Sequence, residues 1–303
     1  MTRTVYIDGD IVSYRCGFAA EHTTYEATID GKDMAFDGKA AMNKYLKEHP
    51  SSGEMFWKST LHVEPLDFVL STVKQMISNI VIGAKADNYV MYLSSRTNFR
   101  DRIATVFKYK GNRDGVRRPM HHDEVLRYLT DIHGAITQEG YEADDLLADS
   151  LVASGGTAVL ASIDKDLLQV PGEHFNFVTG KFKTVTKEEG LVNLYTQMLT
   201  GDSTDNIPGI GGTGPVTAEK LLRVVEPNEE ALRNAVAQAW YHYLDGPKPP
   251  EWLIKFKDGY LKYEHWYEQA PRIVTLDEFL DELDALLRVG VPPVPKWSVI
   301  SDE

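Results

Sequence analysis

Nine carboxylates in four short clusters are the residues best suited to do chemistry in this chain. They are Asp8 and Asp10, then Glu142, Asp144 and Asp145, then Asp164 and Asp166, and finally Asp202 and Asp205. Carboxylates this close in sequence repel one another unless protons or cations neutralise them. Acids are also common at helix starts, where exposed N–H groups and the helix dipole favour them. Residues 142–145 alone fit either interpretation, but the four clusters together predict a divalent-metal centre.

The chemistry of these ligands indicates both the metal and the reaction. Hard carboxylate oxygens, with no His or Cys among the candidates, favour Mg²⁺ or Mn²⁺. Several carboxylates can hold two such ions about 4 Å apart, which clamps the oxygens of an in-line phosphoryl displacement. The clusters therefore predict phosphodiester hydrolysis, in which one ion activates water and the other stabilises the leaving 3′ oxygen. We expect Asp144 to lie between the two ions.

A basic stretch supplies side chains that can bind anions. Between residues 96 and 118 only Asp101 and Asp114 oppose a run of cations: Arg96, Arg100, Arg102, Lys108, Lys110, Arg113, Arg117 and Arg118. A solvated helix face is the alternative, but adjacent like charges with few acids four residues away gain little from one another. We expect a local phosphate-binding patch on a chain whose net charge is −13.

A glycine-rich turn is a second candidate phosphate site. Residues 207–215 read Ile-Pro-Gly-Ile-Gly-Gly-Thr-Gly-Pro. Without a Cβ, Gly209, Gly211, Gly212 and Gly214 let a phosphate approach the backbone N–H groups, which would grip a DNA backbone without reading bases. A plain loop is the alternative. The dinucleotide pattern G-x-G-x-x-G is met in letters only, because no strand precedes these glycines, and no Walker loop is present.

The predicted strands and helices place the acids at one edge of a sheet. Apolar runs predict strands at residues 4–7, 25–29, 89–93, 135–137 and 157–163, and a hairpin at 175–185. Helical spacing is found at residues 11–20, 39–47, 66–82, 123–129, 187–199 and 216–225. Alternating strands and helices indicate an α/β fold with a mostly parallel central sheet flanked by helices, whose sites lie at the carboxyl ends of the strands.

Composition sets the outer limits. With 43% hydrophobic and 25% charged residues, the 303-residue chain has the composition of a folded globular protein. One cysteine, Cys16, excludes an internal disulfide and favours a reducing intracellular setting. We expect a cytoplasmic protein without a membrane partner, because the chain has neither a signal region at its start nor an apolar run of membrane length. Residues 291–295, Val-Pro-Pro-Val-Pro, predict an extended end.

Five motifs occur in the order typical of one superfamily. They are Tyr-Ile-Asp-Gly-Asp at 6–10, Tyr-Lys-Gly-Asn-Arg at 109–113, Tyr-Glu-Ala-Asp-Asp at 141–145, Ser-Ile-Asp-Lys-Asp at 162–166 and Gly-Asp-Ser-Thr-Asp-Asn-Ile-Pro-Gly-Ile at 201–210. Over most of its length the chain resembles the 5′ nucleases of the flap endonuclease superfamily, in the form found in bacterial DNA polymerase I and bacteriophage 5′-to-3′ exonucleases. The resemblance implies a PIN-like 5′ nuclease fold with a helical arch and a helix-three-turn-helix motif.

The resemblance also implies roles for residues at matching positions. The first metal site would use Asp8, Glu142, Asp144 and Asp145. The second would use Asp164, Asp166, Asp202 and Asp205. Lys110 and Arg113 match the catalytic pair that steers the scissile phosphate diester onto the metals. Tyr14 matches an aromatic residue that stacks on a nucleobase, although packing of the first helix would explain it equally well. The other DNA-contact candidates are Arg96, Arg117, Arg118, His121, His122, Lys220 and the turn glycines.

The chain departs from the family pattern in three places. Ser94 stands where the family has an aspartate ligand after its second strand, so one metal site would be weaker or Asp10 would compensate. We expect Mg²⁺ dependence to survive this change. In the turn, Thr213 and Val216 replace residue types common in the family, so phosphate binding there would rest on backbone N–H groups and Lys220. Residues 21–64 extend the connection after the first helix, and the sequence assigns them no function.

These features predict a single 5′ nuclease domain over residues 1–303. It would contain a basic helical arch region at 96–130, a helix-three-turn-helix at 191–225 and a C-terminal helical extension at 226–303. The predicted protein is a metal-dependent 5′-to-3′ exonuclease or flap endonuclease of replication or recombination in a bacterial or phage-infected cell. Its partners would be DNA 5′ ends, flaps, nicks and RNA–DNA hybrids, and its cofactors Mg²⁺ or Mn²⁺, with K⁺ at the helix-three-turn-helix.

Two alternatives belong to other functional classes. One is a DNA-binding structural protein whose metal centre is weakened by the loss of the aspartate at position 94. The other is an aspartate-nucleophile phosphatase, suggested by Asp8-Gly9-Asp10 together with Gly201-Asp202-Ser203-Thr204-Asp205. Such phosphatases carry their second acidic motif after a strand, whereas a helix is predicted before Asp202.

Overall fold

The computed structural model describes residues 2–50, 55–259, 261–264 and 271–290. The described residues fall into two compact units, neither of which is continuous in sequence. The first unit draws on Met1–Gly9, Ile80–Val116 and Ala135–Glu303, and the second on Asp10–Asn79 and Arg117–Gly134. A single 5′ nuclease domain over residues 1–303 stays a prediction. The extended end predicted at residues 291–295 lies outside the described residues.

The described residues form ten strands and eleven α-helices. The strands are β1 (Thr4–Asp8), β2 (Glu21–Ile29), β3 (Lys32–Asp37), β4 (Phe56–Val63), β5 (Asn88–Tyr92), β6 (Ala158–Ala161), β7 (Gly172–Asn176), β8 (Lys181–Val185), β9 (Leu261–Glu264) and β10 (Pro271–Val274). The helices are α1 (Gly9–Ala19), α2 (Lys39–Glu48), α3 (Leu66–Gly83), α4 (Arg100–Ile103), α5 (His122–Asp131), α6 (Ala143–Ala153), α7 (Lys187–Thr200), α8 (Pro215–Leu222), α9 (Glu229–Leu244), α10 (Glu251–Ile254) and α11 (Leu276–Leu287). None of these helices is both long and apolar enough to cross a membrane.

A five-stranded sheet forms the centre of the first unit. Its order is β5-β1-β6-β7-β8, and every neighbouring pair is parallel except β7 with β8. The predicted α/β fold with a mostly parallel sheet is therefore confirmed, as is the hairpin predicted at 175–185. The strand predicted at 135–137 is wrong in extent. Only Ile136 pairs with the sheet, because its N–H donates to Met91 and its carbonyl accepts from Leu93, and no further pair continues the ladder.

Apolar packing fixes the start of α6 against this sheet. All four residues of β6 are buried, and Leu160 from this strand packs with Leu147 and Leu151 from α6. Because these side chains bury one face of α6, the acids in its first turn lie near the end of the central strand β1.

The part of the first unit after residue 226 is mainly helical. Helices α9, α10 and α11 enclose an aromatic cluster in which Trp240 and Phe279 are fully buried and Trp252 packs edge-on to both rings. This part also contains β9 and β10, an antiparallel pair that the sequence pattern did not indicate. The C-terminal helical extension at 226–303 stays a prediction.

Helices α7 and α8 flank the glycine-rich turn, as the predicted helix-three-turn-helix requires. Helix α7 begins with a capping box between Thr186 and Glu189, and α8 begins at Pro215, which suits the first position of a helix. Because α7 precedes both Asp202 and the turn glycines, neither the phosphatase motif nor the dinucleotide fingerprint has the strand that it needs.

The second unit contains a three-stranded antiparallel sheet in the order β3-β2-β4. Met42 from α2 covers one face of this sheet and packs with Ala27 and Ile29. Strands β2 and β3 join at Asp30 and Gly31, whose positive φ values suit a tight hairpin turn. The strand, turn and helix predicted within residues 21–64 are thus confirmed.

The basic region at 96–130 has less helix than the predicted arch. It contains α4, a 3₁₀ turn at Gly111–Arg113 and most of α5, and its residues are divided between the two units. The helix predicted at 123–129 is confirmed as α5.

Candidate metal centre

Acids from separate parts of the first unit meet at the carboxyl edge of its sheet. Asp8 is the last residue of β1, and Asp164 follows β6 after a two-residue gap. Glu142 precedes α6 as its N-cap residue, with Asp144 in the first turn. A small cavity is lined by acids from three of the four clusters: Glu142, Asp144, Asp166, Asp202 and Asp205. The fold therefore brings together carboxylates that the sequence places far apart.

Asp144 lies where these carboxylates crowd most closely. Burial, followed by the charges of Asp8, Asp164 and Glu142, raises the pKa of Asp144 well above its usual range. Its carboxylate takes part in no hydrogen bond or ion pair within the described part of the chain. A partly buried carboxylate among three others is unfavourable in isolation, and a bound cation removes the cost.

Lysine ammonium groups partly neutralise the other acids. Lys165 donates to Asp166 Oδ1 and to Asp202 Oδ2, each at 3.0 Å. Lys110 forms an ion pair with Glu142, and its Nζ lies 3.9 Å from Asp205 Oδ2. Burial opposes ionisation at Glu142, but Lys110 and Arg100 hold the pKa of its carboxyl below the usual range. Flexible ammonium groups thus occupy positions between carboxylates from different clusters.

The donor set fits divalent ions. Among the described residues, no three His, Cys, Asp or Glu side chains already stand in a metal-holding arrangement. Lysine side chains form ion pairs with Glu142, Asp166 and Asp202. The first unit contains eight of the predicted acids. Among the described residues, the cations that form ion pairs with them are Arg100, Lys110, Arg113 and Lys165. The remaining negative charge and the all-oxygen chemistry suit Mg²⁺ or Mn²⁺.

Asp145 differs from the other predicted ligands. It is fully buried and forms a bidentate pair with Arg100, with Nη1–Oδ2 at 2.9 Å and Nη2–Oδ1 at 2.7 Å. The backbone N–H groups of Gly290 and Glu142 donate to its two oxygens at 3.2 and 3.1 Å. Every acceptor position of Asp145 is thus already used, and its role as a metal ligand stays a prediction.

Ser94, at the position where the family has an aspartate, binds the first residue of α6. Its hydroxyl accepts a hydrogen bond from the backbone N–H of Ala143 at 2.9 Å. This N–H belongs to the first helical residue and has no partner inside the helix. The serine thus holds the acid-bearing helix from outside, a role that its type alone does not reveal.

The basic pair Lys110 and Arg113 is positioned by the loop that carries Asp202 and Asp205. The backbone N–H of Lys110 donates to the Asp205 carbonyl at 2.8 Å, and Arg113 Nε donates to the Thr204 carbonyl at 3.1 Å. Arg113 Nη2 also contacts Asp205 Oδ1 at 2.5 Å. Two of the sequence motifs, at 109–113 and 201–210, therefore form one structural unit beside the acids.

Tyr109 connects two acid clusters. Its buried hydroxyl lies 2.8 Å from Glu142 Oε2 and 2.9 Å from Asp205 Oδ2. Burial, and then the charge of Glu142, raises the pKa of Tyr109 well above its usual range, so the phenol keeps its proton and donates it. The ring thereby helps to set the distance between the two carboxylates.

Known proteins share both sequence segments and the fold. No protein-family model matches the chain. It is 30% identical over 171 residues to the 5′-3′ exonuclease of Buchnera aphidicola subsp. Schizaphis graminum, which covers 51% of this chain and 58% of that protein. It is 37% identical over 94 residues to the flap endonuclease Xni of Shewanella amazonensis, covering 27% of this chain and 37% of that protein. With DNA polymerase I of Bacillus subtilis it shares 30% identity over 197 residues, covering 56% of this chain and 20% of that protein.

The solved structures agree on the fold. A complex of the bacteriophage T5 D15 flap endonuclease with DNA and metal ions aligns with a TM-score of 0.53 and 16% identity, covering 94% of this chain and 88% of that one. The T5 5′-exonuclease with bound zinc aligns with a TM-score of 0.53 and 17% identity, covering 94% and 89%. The chain is therefore similar to 5′ nucleases in parts of its sequence and in its fold. It has the PIN-like fold of these solved structures. The matched regions span well under two thirds of the first curated relatives, 10% of one and 37% of another.

The glycine-rich turn of this chain contains two kinds of glycine. A Cβ on Gly209 would lie 2.1 Å from the Thr200 carbonyl carbon, and one on Gly211 would lie 2.4 Å from the Tyr243 hydroxyl. Backbone packing therefore requires Gly209, whereas a side chain at position 211 would meet only the end of the Tyr243 side chain. Gly212, with φ +79°, and Gly214 have open space where a Cβ would be. The open surroundings of these two suit the approach of a phosphate, and the role of all four glycines stays a prediction.

Five further candidates lie in the second unit. Tyr14 of α1 is partly exposed, and its ring lies 4.6 Å from the buried His122 ring. Arg117 pairs with Glu21 and lies over the Phe18 ring. Arg118 is exposed, and His121 contacts the Glu64 carbonyl. Burial, and then Arg118, lowers the pKa of His122, so this side chain is neutral at pH 7.

Three remaining candidates stay predictions. Asp10 is the second residue of α1 and lies in the second unit. Arg96 and Lys220 are exposed in the first unit, which suits a DNA contact without testing it.

The sequence assigned no role in the site to three residues that contact predicted acids, and it marked Ser94 only as a departure from the family pattern. Arg100, Tyr109, Lys165 and Ser94 each contact a predicted acid or the helix that carries it. Arg100 was recognised only as one of many cations in the basic stretch. Tyr109 and Lys165 lie inside the quoted motifs, and that position was the only available signal for them.

Proposed function

We propose that this chain is a divalent-metal-dependent 5′ nuclease that hydrolyses phosphodiester bonds at DNA 5′ ends and flaps. The observation that carries the proposal is Asp144, whose carboxylate lies among Asp8, Glu142 and Asp164 beside the fixed basic pair. Such a centre combines a strong demand for cations with side chains that can hold a phosphate diester. The printed names of the relatives, 5′-3′ exonuclease and flap endonuclease, support the same reaction.

Two ion sites would share Asp144. Asp8 and Glu142 would complete the first site, and the second would use Asp164, Asp166, Asp202 and Asp205. Bound there, the two ions supply an activated water and stabilisation of the leaving oxygen. Lys110 has to leave Glu142 when an ion binds, and its flexible stem allows the ammonium group to turn toward the substrate phosphate.

Lys110 and Arg113 would bind the scissile phosphate diester. Both start from backbone positions fixed by the loop at 203–206, so their reach toward the acids is restricted. Arg113 offers a planar fork that matches phosphate geometry, whereas Lys110 offers a compact charge. The pair would hold the diester against the carboxylates, which by themselves repel it.

Contacts away from the acids would select the DNA. The open N–H groups around Gly212 and Gly214 suit the backbone of a duplex, and Lys220 follows on the next helix. The partly exposed Tyr14 offers a ring for stacking on an unpaired base, and Arg96, Arg117 and Arg118 offer cations. RNA–DNA hybrids are further proposed substrates, and K⁺ at the turn stays a prediction from the family resemblance.

Cleavage of 5′-labelled flap, nicked and blunt duplexes tests the proposal. We expect wild-type protein to release short 5′ products with Mg²⁺ and none with EDTA. We expect Asp164→Asn to lose at least about a thousandfold in rate while it still binds DNA. The matched control Asp87→Asn changes an exposed acid that bonds only the start of the chain and should cleave normally. DNA binding without cleavage of any of these substrates would support the structural DNA-binding alternative and overturn the enzyme.

A further inference from the structure

The buried pair of Arg100 and Asp145 joins three parts of the first unit. Arg100 comes from α4, Asp145 from the first turn of α6, and the third part is the segment Leu286–Gly290 at the end of α11. Arg100 is 2% exposed and Asp145 is 0% exposed. Two opposite charges this deeply buried are retained only where they are paired and hydrogen-bonded on all sides.

Every donor of Arg100 has an acceptor. Its Nε donates to the Leu286 carbonyl at 2.9 Å, and Nη2 donates to the Arg288 carbonyl at 2.9 Å. Nη1 and Nη2 also donate to the two Asp145 oxygens. The fifth N–H, on Nη1, reaches Glu142 Oε2 at 3.4 Å. A guanidinium has five such donors, so the whole group is used to hold its surroundings.

Every acceptor position of Asp145 is used as well. Each oxygen takes one N–H from Arg100 and one backbone N–H, from Gly290 or from Glu142. A carboxylate has about four acceptor positions, so an ion could bind Asp145 only by displacing one of these bonds. Asp144, the next residue, has three carboxylates nearby instead.

We propose that Arg100 and Asp145 are positioning residues: they lock Leu286–Gly290 onto the first turn of α6 and hold Glu142 and Asp144 in place for the ions. This inference rests on the proposed function and assigns Asp145 to the support of the site instead of to the ions. Arg100 acts on the site through Glu142, whose Oε2 it contacts, and through the backbone of α6. The end of α11 thereby helps to position the residues of the metal centre.

The stability of two neighbouring variants without metal separates a lock residue from an ion ligand. In EDTA, Asp145→Asn should lower the melting temperature by roughly 5 °C, because buried Arg100 loses its counter-charge. Its matched control Asp144→Asn should leave the melting temperature unchanged or higher, because one of four crowded carboxylates becomes neutral. Asp145→Asn with wild-type stability or better would overturn the proposal, since that is the behaviour of a metal ligand.

The binding of Mn²⁺, followed by calorimetry, supplies the second readout. Arg100→Lys keeps the buried charge and should fold, but it loses the fork that fixes Glu142 and Asp145. We expect it to bind the same number of ions with a Kd about 10- to 100-fold higher, although residue 100 never touches an ion. Unchanged Mn²⁺ affinity in Arg100→Lys would overturn the inference even if Asp145→Asn does not fold.

The two readouts also separate this inference from the proposed function. A wild-type protein that binds no Mn²⁺ overturns the proposed function and the metal part of the lock. The melting temperatures in EDTA still decide whether Arg100 and Asp145 hold the fold together, since that experiment contains no ion.

Discussion

Asp144 and Asp145 are neighbours in sequence, but their surroundings are opposite. Asp144 faces Asp8, Glu142 and Asp164 and has no paired cation among the described residues. Asp145 is enclosed by the Arg100 guanidinium and two backbone N–H groups. On a helix, consecutive residues point about 100° apart, so one can face the cavity while the next faces the protein. Two acids of one motif can therefore perform different tasks.

The difference teaches how a carboxylate cluster is stabilised. The surroundings of Asp144 leave negative charge to be neutralised from solvent, which is what a metal site requires. Those of Asp145 contain their own cation, which keeps the helix start rigid before any ion arrives. Substitutions near Asp144 and near Asp145 should therefore change the stability of the protein in opposite directions, and only those near Asp144 should depend on metal.

The largest effect is expected when the cation beside Asp145 is removed. Arg100→Met leaves a buried, uncompensated carboxylate, and we expect the free energy of unfolding to fall by about 3–5 kcal/mol, measured by urea denaturation in EDTA. Adding Asp145→Leu should recover only part of the loss, because backbone groups of Leu286, Arg288 and Gly290 stay unpaired at about 1 kcal/mol each. Full recovery by the double variant would show that the backbone bonds contribute little.

A third type of buried carboxylate sharpens the comparison. Glu282 of α11 accepts hydrogen bonds from Thr105 and Val106, with no ion pair among the described residues. Burial raises the pKa of Glu282 to about 7, although these hydrogen bonds oppose the rise. The folded protein thus holds a proton that the unfolded chain releases near its ordinary pKa of about 4.5. Stability from this group is therefore complete below pH 4.5 and is lost as the pH rises to about 7.

Glu282→Gln removes that titration and keeps the shape. The amide oxygen can accept from the backbone N–H groups while the amide nitrogen donates to the Thr105 hydroxyl. We expect wild-type protein to lose up to about 3 kcal/mol more than the variant between pH 4.5 and 7, measured as unfolding free energy at each pH. Parallel pH profiles for the two proteins would contradict this account of Glu282.

A substitution at Ser94 tests whether the metal site around Asp144 lacks a ligand. Ser94→Asp should keep an oxygen near the Ala143 N–H and add a carboxylate at the position where the family has one. We expect Mn²⁺ affinity to rise by about 3- to 10-fold, since ligand charge sets the affinity of such sites. The control Ser94→Ala should bind Mn²⁺ as the wild type does and lose about 1 kcal/mol of stability with the helix cap. Equal or weaker Mn²⁺ binding by Ser94→Asp would mean that the position lies outside the ion's reach.

The last prediction concerns the two open glycines of the turn, where no loss of stability is expected at Gly214. Gly214 has φ −91° and free space for a Cβ, so Gly214→Ala should leave the melting temperature unchanged. If a phosphate approaches this backbone, the variant should bind duplex DNA about tenfold more weakly by fluorescence anisotropy. Gly212→Ala is the contrasting control, because φ +79° strains any side chain by about 1–2 kcal/mol even without DNA. Unchanged DNA affinity in Gly214→Ala would remove the turn from the binding surface.

The sequence was sufficient for the architecture and for most of the acids. Alternating strands and helices predicted the parallel sheet, because strands such as β6 are buried throughout and read as continuous apolar runs. The strand at 135–137 was overestimated, since only Ile136 pairs with the sheet, through a single bridge to Tyr92. The β9–β10 pair was missed because each strand has only four residues, and only β9 shows alternation of apolar and polar residues.

The roles of individual acids could not be read from sequence. Motif spacing predicts Asp144 and Asp145 equally well as metal ligands. The ion pair with Arg100, which lies 45 residues away in sequence, distinguishes Asp145 from Asp144. In the same way, the hydroxyl of Ser94 is committed to α6 by a contact that spans 49 residues. Long-range pairing of this kind depends on the folded backbone, which a local pattern does not contain.

Anomalous diffraction from crystals soaked in Mn²⁺ tests the central claim most directly. The account predicts Mn²⁺ within about 2 Å of carboxylate oxygens of Asp144, with Asp8, Glu142 or Asp164 as a further ligand. In the same crystals Asp145 should keep both bonds to Arg100 and lie outside coordination distance. Mn²⁺ bound to Asp145 with Arg100 displaced, or no Mn²⁺ at Asp144, would contradict it.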